Sequence, residues 1–122
     1  MIILTKKQII DMHKLLIRHT GGLDGIRDDN LLESAVNNPF QTFMGEELYQ
    51  TIEKKAAALC YGLVNNHAFH DGNKRIGILA MLTFLELNGI IINCSDEEII
   101  LLGLRIASGE FKQEDIITWI KK

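Results

Sequence analysis

Apolar residues recur every three or four positions along most of this 122-residue chain, which indicates a series of amphipathic α-helices. In the first segment, a capping box formed by Thr5 and Gln8 precedes the apolar face, and the pair Gly21-Gly22 follows it. The apolar face consists of Ile9, Met12, Leu16 and Ile17. We therefore predict a first helix over about residues 6–19.

Five further helical segments follow, and local signals mark most of their ends. Asp28 or Asp29 can cap the second helix, which ends before Pro39 because a proline restricts the residue that precedes it. The third helix can begin at either Glu46 or Thr51. The predicted spans are about 28–36, 46 or 51 to 66, 73–88, 95–108 and 113–122.

The fourth predicted helix is apolar on nearly all sides, which is typical of a buried central helix. Gly89 ends it, and a second capping box over Ser95-Asp96-Glu97-Glu98 opens the fifth helix. The segment Ile90 to Asn93 is the only short β-like run, and it is too isolated to make a sheet. The pattern predicts an all-α bundle of about six helices.

Composition limits the class of protein further. A hydrophobic content of 47% with a single proline is typical of a globular chain, and the length suits one domain over residues 1–122. Thirteen basic against 16 acidic residues give a net charge of −3 without a basic stripe, so direct nucleic-acid binding is not expected. Without a membrane-length apolar run or a signal-peptide layout, we expect a cytoplasmic protein. Cys60 and Cys94 are expected to be thiols of the core.

Between the third and fourth helices lies the sequence His-Ala-Phe-His-Asp-Gly-Asn-Lys-Arg, residues 67–75. A loop that opens a helix presents unpaired N–H groups and the positive end of the helix dipole, which suits an anion. Gly72 tolerates positive φ, and together with Asn73 it can form a nest of N–H groups around a phosphate oxygen. Lys74 and Arg75 add two positive charges. The four residues are therefore predicted to bind a phosphate group.

The other residues of this motif suggest separate roles. His67 titrates near neutrality and is a candidate general base for a hydroxyl nucleophile. Asp71 is a hard oxygen ligand suited to Mg²⁺, and Phe69 is expected to be a buried anchor that holds the loop rigid. Each residue also has an ordinary interpretation: an incidental His-x-x-His pair with His70, a helix cap, or a solvated Lys-Arg face. Their combination in one glycine-bearing loop favours phosphate chemistry.

The motif resembles the signature of the Fic/Doc (Fido) superfamily, in its shorter Doc, or death-on-curing, form. Similar segments occur before and after the motif, so the resemblance covers nearly the whole chain. They are Gly21-Gly22, Gly25-Ile26-Arg27-Asp28, Leu31-Leu32-Glu33-Ser34-Ala35, Pro39, Glu53 to Leu59, and Phe84-Leu85 with Leu87-Asn88-Gly89. The resemblance implies a toxin with the compact helical Fido fold that uses ATP and Mg²⁺ at residues 67–75.

The chain departs from the pattern HxFx(D/E)GNGRxxR of Fic proteins that transfer AMP. Lys74 replaces the second glycine, and Ile78 replaces the final arginine. The resemblance then implies the Doc arrangement, in which the γ-phosphate lies beside His67 and is transferred to a hydroxyl of translation elongation factor Tu. Two alternatives stay open: transfer of AMP or another nucleotidyl group, and a catalytically silent binding module.

The irregular segment before the third helix carries exposed-looking aromatics. By resemblance, Thr42, Phe43, Met44 and Gly45 belong to a flap that aligns the target by β-augmentation; the alternative is an ordinary packed loop. Residues 42–47 fit only the first part of the inhibitory pattern (S/T)xxxE(G/N), so we do not interpret them as a built-in inhibitor. The resemblance therefore implies restraint by an antitoxin of the Phd type, a segment that folds on binding.

Overall fold

The computed structural model describes residues 1–122, and six α-helices make up most of the chain. The helices are α1 (Lys6–Thr20), α2 (Asp29–Asn37), α3 (Ile52–Asn65), α4 (Asn73–Leu87), α5 (Asp96–Ala107) and α6 (Gln113–Lys121). A 3₁₀ turn over Asn38–Phe40 and two short strands, β1 (Thr42–Phe43) and β2 (Glu46–Glu47), connect α2 to α3. The predicted all-α fold with about six helices is confirmed. None of these helices combines the length and apolarity needed to cross a membrane.

The predicted capping residues account for most helix starts. The capping boxes at Thr5 and Ser95 both form, with the cap side chain and the third helical residue exchanging hydrogen bonds. Of the two candidates for α2, Asp28 is the cap, and its carboxylate accepts a hydrogen bond from the Leu31 N–H. For α3 the cap is Thr51. These side chains satisfy N–H groups that have no partner inside the helix.

The alternative start of α3 at Glu46 is wrong, because this residue lies in strand β2. Strands β1 and β2 pair antiparallel in a hairpin, with Phe43 opposite Glu46. Met44 and Gly45 form the turn with φ values of 52° and 81°. Two central residues with positive φ are the requirement of a type I′ turn, whose twist matches that of the strands. The segment from Ile90 to Asn93 forms no strand.

The core is one cluster of 23 buried residues built mainly around α3 and α4. Helix α3 packs against α2, α4, α5 and α6, whereas α4 packs against α1, α3 and α5. The central position that the sequence assigned to α4 is therefore shared with α3. Three consecutive alanines explain this, because Ala56, Ala57 and Ala58 are all buried and let neighbouring helices approach α3 on several sides. The end of α3 and the start of α4 flank the loop that carries the motif.

Candidate active site

The motif loop, residues 66–72, connects α3 to α4 and leaves the start of α4 without a side-chain cap. Gly72 occupies the cap position in the left-handed conformation, with φ 79° and ψ 15°. Lys74 and Arg75 lie exposed in the first turn of α4. Because the first N–H groups of a helix lack intrahelical acceptors, this end of α4 combines free donors, the positive dipole end and two cations. It has the chemistry of an anion site.

The Asn73 side chain shapes the loop. Its Oδ1 accepts a hydrogen bond from the Phe69 N–H at 3.1 Å, and its Nδ2 donates to the Phe69 carbonyl at 3.0 Å. Both polar atoms of the amide are therefore occupied by the loop backbone. The main-chain N–H of Asn73 has no intrahelical acceptor and can still contribute to the nest that the sequence predicts.

A second segment, residues 21–28 between α1 and α2, runs along the motif loop and holds its backbone. The His70 N–H donates to the Gly25 carbonyl at 3.1 Å, and Ile26 forms an isolated antiparallel bridge with Phe69. The Ala68 carbonyl accepts hydrogen bonds from two N–H groups, those of Arg27 at 2.7 Å and Asp28 at 3.0 Å. The motif loop thus gains backbone partners that a solvent-exposed loop would lack.

His67 is exposed to solvent and has a left-handed backbone with φ 52°. Such a conformation is uncommon outside glycine and is retained where the surroundings impose it. Here Arg27 supplies that constraint, because its Nε donates to the His67 carbonyl at 2.6 Å. Sequence reasoning included Arg27 only as part of a family-like segment and assigned it no role. Its contact spans 40 positions, which no local pattern reveals.

Phe69 is 1% exposed and stacks on His13 of α1, with ring centroids 3.8 Å apart and an interplanar angle of 13°. His13 is itself 1% exposed. Its Nε2 lies 2.7 Å from the Asp71 carbonyl, and its Nδ1 lies 3.6 Å from the Asp24 carboxylate. Sequence reasoning missed His13. A signal existed, since it shares the buried face of α1 with Ile9 and Ile17, four residues away on either side.

Asp71 is exposed, and its Oδ2 accepts a hydrogen bond from the Leu23 N–H at 2.7 Å. That bond leaves the second carboxylate oxygen for another partner. No group of three or more His, Cys, Asp or Glu side chains in the protein is arranged to hold a metal ion. Mg²⁺ commonly binds one or two carboxylates and completes its octahedron with water and substrate phosphates. A single free carboxylate oxygen beside the cationic start of α4 fits that requirement.

The hairpin β1–β2 contains all four residues predicted for the flap: Thr42, Phe43, Met44 and Gly45. Phe43 is 70% and Met44 88% exposed, so the two side chains project apolar surface into solvent. Lys55 of α3 anchors the second strand. It is only 3% exposed, its Nζ lies 3.3 Å from the Glu47 carboxylate, and it also donates to the Tyr49 carbonyl. Sequence reasoning assigned no role to Lys55.

A groove of about 650 Å³ opens between α1, α4 and α5 next to the motif. Lys74 and Arg75 line the groove at the start of α4, and Asp96 lines it at the start of α5. Most of the remaining lining is aliphatic and includes Leu16, Leu82 and Ile99. The groove therefore offers apolar surface directly beside the cationic end of α4.

Neither cysteine supplies a nucleophile to this site. Cys60 is buried in α3, and burial raises the pKa of its thiol to about 12. Desolvation is also the main cause that raises the pKa of Cys94, with smaller contributions from the negative charges of Glu98 and Asp96. Because the thiolate is the reactive form, a raised pKa lowers the reactivity of both thiols near neutral pH. Burial confirms the expectation of a core thiol for Cys60, whereas Cys94 is only partly buried.

Several known proteins are similar in sequence to this chain. The family model described as Fic/DOC family matches residues 3–85, which include α1 to α3, the motif loop and most of α4. A protein of Mycolicibacterium smegmatis named Toxin Doc is 46% identical over 70 residues, which are 57% of this chain and 54% of that protein. The alignment therefore spans about half the length of that relative. A protein of Escherichia phage P1 named Protein kinase doc is 26% identical over 119 residues, which are 98% of this chain and 93% of that protein.

Proposed function

The chain belongs to the Fic/DOC family, and on that premise we propose that it is a Doc-type toxin that transfers the γ-phosphoryl group of ATP to a hydroxyl of a target protein. One observation carries the proposal. An uncapped helix start with Lys74 and Arg75 lies in the same short loop region as an exposed histidine, His67, and an exposed carboxylate, Asp71. This set contains the donors, cations, base and metal ligand that phosphoryl transfer requires.

Each residue has a definite task in the proposed reaction. A ring nitrogen of His67 accepts the proton of the attacking hydroxyl while the oxygen bonds to the γ-phosphorus and the bond to ADP breaks. The first N–H groups of α4, with Lys74 and Arg75, hold the phosphate oxygens. The free carboxylate oxygen of Asp71 would hold Mg²⁺, which neutralises phosphate charge when it is bound. Arg27 and Asn73 keep the loop in shape for these contacts.

The choice of the γ-phosphate rests on two positions. Lys74 carries a flexible cation where the AMP-transferring pattern has a glycine, so a phosphate cannot approach the backbone of residue 74 as closely as it could at a glycine. Ile78 stands where that pattern has an arginine, and it is 1% exposed and apolar. No cation is therefore available from that turn of α4. The name of the phage relative, Protein kinase doc, points the same way.

Labelled ATP distinguishes the candidate reactions. We expect transfer of label from γ-³²P-ATP, and none from α-³²P-ATP, when the protein is incubated with purified elongation factor Tu, the target that we propose. Label from the α position alone would replace the kinase by an AMP transferase. Labelling of other proteins in a whole translation extract, with none on the purified factor, would contradict the proposed target. Binding of the protein to the factor, without transfer of label from either position of ATP, would identify a silent binding module.

We propose that the hairpin β1–β2 is the surface that receives the target segment. Phe43 and Met44 expose apolar side chains at the turn, and the short strands present edges to which an extended segment can add. The buried Lys55 supports this role because it ties the second strand to α3 and limits its movement.

We further propose that a Phd-type antitoxin segment neutralises the protein by covering the groove between α1, α4 and α5. The apolar floor beside Lys74 and Arg75 suits an amphipathic segment with acidic side chains. Expression of the chain alone should stop cell growth, and co-expression with such a segment should restore growth and yield a co-purifying complex. Leu82→Glu, which places a charge in the groove, should abolish co-purification. Unimpaired growth on expression of the chain alone would contradict the toxin function.

A further inference from the structure

His13 of α1 lies beneath the motif loop and is the one buried histidine in the protein. It has no role in the proton transfer or phosphate binding proposed above. It nevertheless lies against three groups at the site: the Phe69 ring, the Asp71 carbonyl and the Asp24 carboxylate. We infer that His13 is a positioning residue that fixes Asp71 for Mg²⁺. This inference rests on the proposed function, in which Asp71 is the metal ligand.

The hydrogen bond from His13 to the loop has a fixed direction. The Asp71 carbonyl can only accept, so the His13 Nε2, 2.7 Å away, must carry a proton. The Nδ1 atom faces the Asp24 carboxylate at 3.6 Å, and the ring plane is fixed by the stack on Phe69. The imidazole is therefore oriented by the stack on its face and by the hydrogen bond from its Nε2. Groups that orient a metal ligand from outside act in this way at many metal sites.

Asp71 is held at two points by the same part of the fold. Its carbonyl accepts from His13, and its carboxylate Oδ2 accepts from the Leu23 N–H at 2.7 Å. Leu23 precedes Asp24, which faces the other nitrogen of His13. Leu23 and the imidazole thus each hold Asp71 through one hydrogen bond and leave its second carboxylate oxygen available. Loss of the His13 contact would free the backbone of Asp71 while the carboxylate remained tethered to Leu23.

Packing leaves little space for the loop to move toward α1. A Cβ atom placed on Gly72 would lie 3.4 Å from the His13 Nε2 and 3.3 Å from the Ile17 Cδ1. A Cβ atom on Gly22 would lie 3.2 Å from the Asp71 Cβ. The loop therefore rests directly on α1 and on the turn before Leu23. Such close contact makes the position of Asp71 depend on the side chain at position 13.

Two substitutions distinguish a role of His13 in positioning Asp71 from a role in core packing alone. His13→Phe keeps an aromatic ring against Phe69 but removes the N–H donor, whereas His13→Gln restores an amide N–H near the position of the imidazole Nε2. We expect His13→Phe to raise the Mg²⁺ concentration for half-maximal binding of a non-hydrolysable ATP analogue by about 10- to 100-fold. His13→Gln should return this concentration to within about threefold of the wild-type value. Binding of the analogue without Mg²⁺ should be equal in all three proteins.

Isothermal titration calorimetry on the full chain over a series of Mg²⁺ concentrations supplies the measurement, with melting temperature as the check on folding. If His13→Phe does not fold, His13→Leu serves in its place, because it also removes the N–H donor and suits the buried face that position 13 shares with Ile9 and Ile17. A Mg²⁺ requirement that is unchanged in the folded variants would overturn the positioning role. Asp71→Asn is the reference: an unchanged requirement in that variant would instead refute the metal site of the proposed function, and with it this inference.

Discussion

Replacement of His67 by alanine is expected to lower the rate of phosphoryl transfer about 100- to 10,000-fold, the usual contribution of a positioned general base. The expected loss is confined to the chemical step, because the Lys74 and Arg75 side chains and the start of α4 remain to bind nucleotide. Stability should change little. His67 is exposed, and its carbonyl, which Arg27 contacts, belongs to the backbone and survives the substitution.

Two further variants control for backbone effects and for histidine content. Asparagine tolerates the left-handed conformation of position 67, φ 52°, and cannot act as a base near neutral pH, so His67→Asn should lose as much activity as His67→Ala. His70→Ala removes the other histidine of the motif. The His70 side chain is also exposed, and the hydrogen bond from His70 to the Gly25 carbonyl is made by the backbone N–H. Removal of the side chain should therefore lower the rate by less than about fivefold.

Single-turnover rates at saturating ATP, together with the affinity for the nucleotide, decide the matter. Retention of near-wild-type rates in both His67 variants would show that the proposed base is wrong. A rate loss that follows His70 instead would move the base three positions along the loop. A large drop in nucleotide affinity in the His67 variants would indicate a binding role.

Signals that act over a few residues made much of the fold predictable from the sequence. A cap side chain accepts a hydrogen bond from the N–H group three positions later, so the caps Thr5, Ser95 and Thr51 can be recognised without tertiary information. The apolar period is equally local. The two short strands were missed because Met44 takes positive φ, which a methionine gives no local reason to expect, while Glu46 and Glu47 are also ordinary residues for a helix start.

The candidate site was predictable only in part, because many of its contacts join residues that are far apart in the sequence. The motif places its chemical groups within nine residues, and the position of an uncapped helix start follows from the adjacent helices. The groups that hold the loop come from far away in sequence: His13 lies 58 positions before Asp71, and Leu23 lies 48 positions before it. Periodicity assigns His13 to a buried face but does not identify the element that meets that face. These contacts depend on the packing of α1 against the loop, which the sequence pattern does not show.

The largest stability effect within the motif is expected for Phe69→Ala, a loss of about 3–5 kcal/mol in the free energy of unfolding. The ring is 1% exposed, so its removal leaves a cavity and forfeits the contact with His13 at 3.8 Å. For a chain of this length the loss corresponds to a fall of roughly 10–25 °C in melting temperature. Urea denaturation with an unchanged slope would attribute the change to stability alone.

The chain offers matched controls for this substitution. Phe43→Ala makes the same chemical change at a side chain that is 70% exposed, so its cost should stay within about 0.5 kcal/mol. Phe84 is as buried as Phe69 but lies in α4 against Phe40, with ring centroids 5.9 Å apart. Phe84→Ala should therefore destabilise the protein by a similar amount without altering the motif loop.

Binding of Mg²⁺ and ATP analogue at a temperature where all three variants are folded completes the comparison. We expect weaker binding in Phe69→Ala alone, because only this ring supports His13 and through it the carbonyl of Asp71. Equal binding in the Phe69 and Phe84 variants would mean that Phe69 contributes to the core in general and not to the geometry of the loop. An unchanged melting temperature in Phe69→Ala would show that the ring is no anchor.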